Sequence, residues 1–285
     1  MVIVKLYRES WRDMAADEIV PDRGTPYFER LVRKVDENGW RDERDLVVKE
    51  KALTIYVNNE ELATVVCSPM YLEYMALGFL CAEGILRKRD DLRDMAIDEE
   101  QGLAYVETNR STRNISEKMF LKRYINPCCG RGRASFYFSN DALLCKAVTA
   151  ENKVSRGEVS GMIEDLQNKS HLFRRTGGVH NAALAEDGKI IMFQEDIGRH
   201  NTLDKIFGQC FFEEIALRDK VIVFSGRVSS EILLKIAKMG VAILVSRSAP
   251  TDLALELADD LGITVIGFAR GRRFSVYSHP ERVAY

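Results

Sequence analysis

The chain has 285 residues, of which 46% are hydrophobic and 29% charged, as is ordinary for a soluble protein of one large or two modest domains. The net charge of −2 excludes a general affinity for nucleic acid or an anionic membrane, and no apolar run approaches the ~18 residues of a membrane span. The six cysteines are irregularly spaced and the apolar amino terminus is too short for a signal peptide, so we expect a cytoplasmic protein with reduced thiols.

The first half of the chain predicts a small domain behind a charged lead-in. Residues 1–50 have few periodic apolar positions, so we expect this lead-in to be partly irregular. Apolar runs flank Asn58-Asn59 and Gln101-Gly102, the pattern of two β-hairpins. Between them, Ser68-Pro69 is typical of a helix start, since serine caps the helix and proline loses no hydrogen bond in its first turn. These elements predict a small α+β domain at residues 51–125.

Residues 126–133, Asn-Pro-Cys-Cys-Gly-Arg-Gly-Arg, form the most unusual predicted loop. Nearby arginines favour a thiolate at Cys128 or Cys129, and the thiolate is the form that attacks a disulfide or persulfide sulfur. A pair of buried structural cysteines is an equal alternative. Zinc is disfavoured, because no spaced second cysteine pair follows and the His-x-Glu of zinc deaminases does not precede the cysteines.

Two polar motifs follow further along the chain. Residues 194–201 hold two carboxylates, an arginine and His200. A carboxylate there could accept the paired donors of a guanine edge, or orient His200 as an acid or base. A salt-bridged turn between a strand and a helix explains the motif equally well. His180, just after Gly177-Gly178, is more typical of a turn or core histidine than of a ligand.

The longest consistent pattern lies between residues 220 and 280. Three short runs rich in β-branched residues, at 221–224, 241–245 and 263–266, predict buried strands. Segments of helical spacing separate them and end at Gly240 and Gly262, where a left-handed cap favours glycine. Because such crossovers are right-handed, the strands should be parallel neighbours whose carboxyl ends share one edge.

Three loops rich in arginine or hydroxyl side chains follow these strands, at residues 225–230, 246–251 and 270–273. Two of them lead into helix N-termini, whose free amides favour anions. Together the loops carry five arginines, which can grip phosphate bidentately. We predict a site for a polyanionic, nucleotide-like ligand at this sheet edge. The alternative is a solvated basic rim.

At these residues the chain resembles the formate dehydrogenase accessory sulfurtransferase family, over about residues 50–282. The similar segments are Leu77-Gly78-Phe79-Leu80 with Glu83-Gly84, Thr176 to His180, Glu195 to Asn201 with Asp204-Lys205, Ser225-Gly226-Arg227 with Ser229-Ser230-Glu231, Ser246 with Ala249, Gly267-Phe268 through Tyr277, and His279-Pro280. The resemblance implies a two-domain α/β fold. A small N-terminal α+β domain would precede a C-terminal cytidine-deaminase-like α/β domain at residues 126–285, with a mixed sheet and no zinc.

The resemblance also implies an activity. A cysteine persulfide would carry sulfur from a cysteine desulfurase to the molybdenum or tungsten bis(molybdopterin guanine dinucleotide) cofactor of formate dehydrogenase. The expected partners are therefore the desulfurase, the formate dehydrogenase apoenzyme and this guanine-nucleotide-containing cofactor, without nucleic acid or membrane, and a homodimer is left open. A non-catalytic chaperone that binds and delivers the cofactor is the alternative. A nucleotide-dependent hydrolase that uses Glu195 to His200 is a weaker one.

The resemblance assigns roles to particular residues. The family often has Cys-Gly-x-Cys-Gly, whereas here Cys129-Gly130 keeps the first cysteine and Gly132 replaces the second. Cys129 is therefore the expected sulfur carrier, with Cys128 assisting. The expected cofactor-binding residues are Phe268, Ala269, Arg270, Gly271, Arg272 and Arg273 on the segment that matches the family, with Ser225 and Arg227 on the neighbouring loop.

Overall fold

A computed structural model describes residues 3–5, 25–109, 124–125 and 145–284 of the chain. The strands are β1 (Ile3–Lys5), β2 (Tyr27–Asp36), β3 (Gly39–Val48), β4 (Lys51–Val57), β5 (Glu60–Cys67), β6 (Leu92–Asp98), β7 (Leu103–Thr108), β8 (Tyr124–Ile125), β9 (Val154–Ser155), β10 (His180–Glu186), β11 (Lys189–Asp196), β12 (Val221–Phe224), β13 (Ile243–Ser246), β14 (Thr264–Arg270), β15 (Arg273–Val276) and β16 (Val283–Ala284). The α-helices are α1 (Leu72–Ala82), α2 (Arg156–Lys169), α3 (His171–Thr176), α4 (Arg199–Phe212), α5 (Ser230–Met239) and α6 (Asp252–Leu261). None of the helices in this part of the chain is long and apolar enough to cross a membrane.

The first six-stranded sheet has the order β1-β6-β7-β4-β5-β8, and its apolar face packs against α1. Both predicted hairpins are confirmed, as β4 pairs with β5 and β6 with β7, each pair antiparallel. Asn58 and Asn59 both have positive φ, as a tight hairpin turn between twisted strands requires. The predicted helix start at Ser68 is wrong. Helix α1 begins at Leu72, and the Ser68 hydroxyl instead accepts a hydrogen bond from the Ile197 amide at 3.1 Å.

The charged lead-in contains a long hairpin that the sequence pattern did not predict. Strands β2 and β3 have ten residues each and pair in register from Tyr27 with Val48 to Asp36 with Gly39. Its outer part is exposed, so there is no core face from which apolar periodicity could have been recognised. Its base packs near α3, where Arg175 donates a hydrogen bond to the Tyr27 hydroxyl at 2.8 Å. The interpretation of this segment as partly irregular is therefore wrong for residues 27–48.

The second six-stranded sheet has the order β11-β10-β12-β13-β14-β15. The predicted strands β12, β13 and β14 are parallel neighbours, and β10 runs antiparallel to β12. Their side chains alternate between two cores: Ile222 and Leu244 pack with α4, α5 and α6, whereas Val223 and Val245 pack with α2. Burial on both faces explains why these strands are continuous apolar runs. Gly240 and Gly262 have φ of 74° and 69° in left-handed caps, as predicted.

Residues 270–273 do not form a loop after the third parallel strand. Strand β14 continues to Arg270, and the chain turns at Gly271 and Arg272 into the antiparallel strand β15. The register shifts between Gly267 and Arg270, and Phe268 has a φ of 51°. The arginines therefore lie on a hairpin that extends beyond the edge of the sheet.

The two sheets are joined by a close crossing of α1 and α4. A Cβ atom added at Gly78 would lie 1.7 Å from the Asp204 carbonyl oxygen, and one at Gly208 would lie 2.0 Å from the Tyr74 carbonyl oxygen. Such distances mean that the two helix backbones are in contact, which only glycine allows. Phe207 and Phe212 of α4 then reach into the core of the first sheet.

Candidate functional site

A cavity of about 420 Å³ lies at the carboxyl edge of the parallel strands. This volume is in the range of small-molecule sites. The lining residues come from α3 and the turn after it, from the start of β10, from the turn between β11 and α4, and from the ends of β12, β13 and β14: Phe173, Gly177, Gly178, Val179, His180, Asn181, Ile197, Ser225, Arg247, Ser248 and Arg270. The lining therefore combines apolar and glycine residues with hydroxyl, imidazole and guanidinium groups.

The antiparallel strand β10 brings its first residues to this edge, next to the end of β12. The Asn181 amide donates a hydrogen bond to the Ser225 hydroxyl at 2.9 Å, and the Ser225 amide donates one to the Asn181 carbonyl at 3.0 Å. The neighbouring His180 Nδ1 lies 3.5 Å from the Ser225 hydroxyl oxygen. Backbone pairing therefore fixes an imidazole beside a hydroxyl group in the cavity wall.

Two guanidinium groups give the cavity its positive charge. Arg247 follows β13, and its amide donates to the Phe224 carbonyl at 3.0 Å, which anchors the loop to β12. Its buried Nε has no hydrogen-bond partner among the described residues. Burial lowers the pKa of Arg247, and the charge of Arg270 lowers it further. A buried donor without a partner and two like charges in one cavity favour an anionic ligand.

His180 is the side chain of this cavity whose ordinary pKa lies nearest to neutral pH. Burial lowers the pKa of its imidazole, the nearby Arg199 guanidinium lowers it further, and the Asp196 carboxylate partly opposes the shift. The neutral imidazole is therefore favoured at neutral pH. It can accept or donate one hydrogen bond at each nitrogen, depending on the tautomer.

The motif at residues 194–201 serves mainly to join the two halves of the chain. The Asp196 carboxylate is fully buried and lies 2.7 Å from Lys205 Nζ, also fully buried. The same carboxylate accepts hydrogen bonds from the Ser68 amide at 2.9 Å, from the Gly198 amide at 2.9 Å and from Asn201 Nδ2 at 2.7 Å. Of the two interpretations of this motif, the contacts of Asp196 fit the salt-bridged turn between a strand and a helix.

The remaining polar groups of this motif do not line the cavity. His200 Nε2 faces α5 and lies 3.5 Å from the Glu231 carboxylate. Glu195 accepts a hydrogen bond from the Phe173 amide at 3.4 Å, and burial raises the pKa of its carboxyl group. Only Ile197 of this motif lines the cavity.

The predicted site residues fall into three groups. Ser225 and Arg270 line the cavity, whereas Arg227 is exposed outside it. The second group lies on the β14–β15 hairpin next to the cavity: Phe268, Ala269, Gly271, Arg272 and Arg273. The Ala269 side chain is buried in the core, so only its backbone can face a ligand. Cys128 and Cys129 lie outside the described residues.

Sequence reasoning did not select four polar residues of the cavity. Arg247 was counted among the five arginines of the three loops but was not singled out, and Ser248 belongs to the same loop. His180 and Asn181 belong to a strand that precedes the parallel strands in the chain. The local signals were Gly177-Gly178 before a strand and the segment Thr176 to His180 that resembles the family. Gly178 also has a packing role, because a Cβ at this position would lie 2.7 Å from Val48 Cγ1.

The described residues contain no group of three or more His, Cys, Asp or Glu side chains placed to hold a metal ion. The donors around the cavity are guanidinium, hydroxyl, imidazole and amide groups, which suit phosphate rather than a divalent cation. Fold and site therefore define a mixed α/β protein with a cationic cavity at the carboxyl edge of its parallel strands.

Comparison with known proteins assigns this architecture to a family. The model of the FdhD/NarQ family matches residues 48–284, and the chain belongs to that family. The chain is 47% identical over 255 residues to a protein of Geobacillus kaustophilus named sulfur carrier protein FdhD, a match that covers 89% of this chain and 96% of the relative. Proteins of the same name from Bacillus pumilus and Staphylococcus aureus are 45% and 48% identical over 254 and 239 residues. These two matches cover 89% and 84% of this chain, and 96% and 89% of the relatives.

A solved structure has a similar fold. The crystal structure of a putative formate dehydrogenase accessory protein from Desulfotalea psychrophila superposes with a TM-score of 0.75 at 24% identity. The superposition covers 91% of this chain and all of the other. At this identity the likeness concerns the fold alone.

Proposed function

We propose that the protein is a sulfur carrier that accepts sulfur from a cysteine desulfurase as a cysteine persulfide. It then transfers this sulfur to the molybdenum or tungsten bis(molybdopterin guanine dinucleotide) cofactor, which formate dehydrogenase needs for activity. Membership of the FdhD/NarQ family and the names of the relatives support the sulfur-carrying role. The observation that carries the cofactor part is the convergence of Arg247 and Arg270 on one cavity.

The burial of three described cysteines supports the pair of Cys128 and Cys129 as the sulfur-carrying site. Cys67, Cys81 and Cys210 are buried, and burial raises the pKa of the thiols of Cys67 and Cys210 to about 12. The pKa of Cys81 is raised for the same reason. Such thiols hold almost no thiolate at neutral pH and are poor nucleophiles. Of the six cysteines, this leaves Cys145, which is half-buried and packs against the core of the second sheet, and the adjacent pair of Cys128 and Cys129. The arginines beside the pair in the sequence favour its thiolates and make it the better candidate.

The first chemical step is a thiol exchange. The Cys129 thiolate attacks the outer sulfur of the desulfurase persulfide, a new sulfur–sulfur bond forms on Cys129, and the desulfurase cysteine leaves as its thiolate. Cys128 assists from the adjacent position. The proposed partners are therefore the desulfurase and the formate dehydrogenase apoenzyme, and we place the reaction in the cytoplasm, where thiols stay reduced.

The cofactor is the substrate of the second step, and the cavity suits one part of it. A volume of about 420 Å³ holds one nucleotide unit rather than the whole bis-dinucleotide. We propose that guanine-nucleotide phosphates contact Arg247, Arg270 and Ser225. The rest of the cofactor would extend over the β14–β15 hairpin at residues 268–273 and towards Arg227.

We further propose that the two sheets mark two domains. The strand β8 at Tyr124–Ile125 still pairs with β5 of the first sheet, so a boundary after residue 125 agrees with the sheet pairing. The second sheet contains a hairpin followed by three parallel strands, with helices on both faces. This arrangement supports a cytidine-deaminase-like domain at residues 126–285, behind a small α+β domain at 51–125.

Ligand binding tests the cavity. Alanine at Arg247 or Arg270 should weaken binding of guanosine diphosphate, measured by calorimetry, by about 10-fold to 100-fold, since a hydrogen bond to a charged group is worth ~1.5 to 3 kcal/mol. The matched control is Arg93→Ala, which removes an exposed arginine paired with Glu107 on the first sheet. If all three variants bound guanosine diphosphate equally well, the cavity would not be the nucleotide site. Weaker binding of guanosine diphosphate by Arg227→Ala would show that the ligand also reaches this arginine outside the cavity.

The same cavity would also serve a chaperone that delivers the cofactor without a covalent sulfur step. A Cys128→Ala, Cys129→Ala double variant separates the two functions. It should bind guanosine diphosphate normally but fail to activate formate dehydrogenase in a strain that lacks the natural protein. Activation by that double variant would favour the chaperone. Mass analysis after incubation with desulfurase and cysteine should show one added sulfur on Cys129.

A further inference from the structure

His180 is placed to contact whatever occupies the cavity. Its backbone position is fixed by the pairing of β10 with β11 and by the hydrogen bonds of Asn181 to Ser225. Its imidazole is half-buried and lies in the same cavity wall as Ser225. Apart from the 3.5 Å contact with the Ser225 hydroxyl, neither ring nitrogen has a hydrogen-bond partner among the described residues.

The charges around His180 come from four neighbouring elements. Arg199 stands at the start of α4, and its buried Nε has no hydrogen-bond partner in the described part of the chain. Asp196 lies opposite His180 in the strand register, but its charge is balanced by Lys205. The remaining groups are Glu195 on β11, Arg247 after β13 and Arg270 at the end of β14.

These groups keep the imidazole neutral in the empty cavity. Burial and the Arg199 charge both lower the pKa of His180. A protonated imidazole would be a further cation beside Arg247 and Arg270, which already repel each other. An anion in the cavity reverses this balance, because an opposite charge within ~4 to 6 Å favours the protonated form.

Resting on the proposed function of the cavity, we propose that His180 takes up a proton when the pyrophosphate of a guanine dinucleotide enters. His180 then becomes a third cationic contact beside Arg247 and Arg270. The protein thereby avoids three positive charges in an empty cavity but presents them to its ligand. Neutral guanosine would not induce this protonation, so His180 discriminates between ligands with and without the charged pyrophosphate.

The affinity for the ligand depends on pH because ligand binding and protonation of His180 are thermodynamically linked. Ligand binding raises the pKa of His180 above its value in the free protein. Above the bound-state pKa the affinity is constant and low. It strengthens as the pH falls from the bound-state pKa to the free-state pKa, and is constant again below that value. A rise of about one unit in the pKa of His180 is at the lower end of the shifts that an adjacent opposite charge causes. It corresponds to about tenfold tighter binding.

The probe is P1,P2-di(guanosine-5′) pyrophosphate, whose pyrophosphate is a diester and does not titrate between about pH 5 and 8, the range in which histidine does. Guanosine diphosphate is unsuitable here, because its terminal phosphate titrates in that range. Calorimetry in two buffers of different ionisation enthalpy gives the number of protons taken up on binding. We expect roughly half a proton near the midpoint, and about tenfold tighter binding at pH 5 than at pH 8.

Two variants test whether His180 is the group that takes up the proton. His180→Gln should still bind, but with no proton uptake and an affinity that hardly changes with pH. His171→Gln should behave like the unaltered protein, because His171 is exposed on α3 and its Nδ1 lies 2.8 Å from Arg174 Nη2, outside the cavity. In NMR spectra of isotopically labelled protein, the imidazole resonances of His180 should move to the positions of the protonated ring when the ligand is added.

The outcomes separate this inference from the function on which it rests. Binding by the unaltered protein without proton uptake would overturn the role of His180 and leave the nucleotide site intact. Proton uptake that persists in His180→Gln would do the same, since another group would then be responsible. Failure of the unaltered protein to bind the probe at any pH would overturn both.

Discussion

The buried pair of Asp196 and Lys205 should dominate the stability of the junction between the two sheets. We consider Lys205→Met, which removes the ammonium group and keeps most of the volume of the side chain. In the unaltered protein the two charged atoms lie 2.7 Å apart with both side chains fully buried. Lys205 Nζ also lies 3.4 Å from the Ser68 carbonyl and 3.5 Å from the Glu195 carbonyl. The substitution leaves the Asp196 carboxylate buried without its counter-charge.

The expected magnitude follows from this burial. Removing one partner of a buried ion pair typically costs about 3 to 5 kcal/mol, because the other charge is left uncompensated. Asp196 keeps three hydrogen bonds, from the Ser68 and Gly198 amides and from Asn201, which places the expected loss at the lower end, about 3 kcal/mol. An exposed pair gives a contrast: Arg93→Met, which breaks the pair with Glu107, should cost about 1 kcal/mol or less.

Urea unfolding followed by circular dichroism measures both losses. The midpoint should fall strongly for Lys205→Met, with an unchanged slope, and only slightly for Arg93→Met. Adding Asp196→Asn to Lys205→Met should recover part of the loss, because the buried charge is then gone. If Lys205→Met lost no more stability than Arg93→Met, or if the second substitution gave no recovery, the reasoning from the uncompensated charge would be wrong.

Two further predictions concern the helix crossing and the cysteines. Gly208→Ala should destabilise the protein by about 3 kcal/mol or more, since the new Cβ would lie 2.0 Å from the Tyr74 carbonyl and the helices must separate. Gly161→Ala in α2, where nothing lies within 4 Å, should instead stabilise it by about 0.5 to 1 kcal/mol in the same unfolding assay. Cys67 and Cys210 should react slowly with iodoacetamide at neutral pH and faster as the pH rises towards their pKa of about 12. Peptide mass analysis should show Cys128 or Cys129 labelled first, and faster labelling of a buried cysteine in the folded protein would contradict the proposal.

Local patterns predicted the parallel part of the second sheet well. The β-branched run at residues 221–224 is strand β12, and the capping glycines Gly240 and Gly262 end α5 and α6 with left-handed geometry. The capping box that Ser155 and Glu158 form at the start of α2 is a local feature of the same kind. Each of these signals involves residues a few positions apart, which is the range over which sequence periodicity and turn chemistry act.

Long-range contacts account for what was missed. Ser68 has the sequence pattern of a helix cap, but its amide and hydroxyl bind Asp196 and Ile197, about 130 residues later in the chain. The hairpin at residues 27–48 has little apolar periodicity, because most of its length packs against no core. Asp196 ends β11 whereas Lys205 lies in α4, so no single periodicity relates the pair, and nothing in the sequence shows that both side chains are buried.

The sequence by itself determined the family, the three parallel strands and the arginines at their carboxyl edge, since these depend on motifs and on periodicity within short segments. Only the tertiary structure decided which polar groups meet there. Strand β10 runs antiparallel beside β12 and thereby brings His180 and Asn181 to Ser225, whereas Arg272 and Arg273 lie on the β14–β15 hairpin and do not line the cavity. Strand order and direction are set by the burial of both sheet faces, to which residues from the whole second half of the chain contribute.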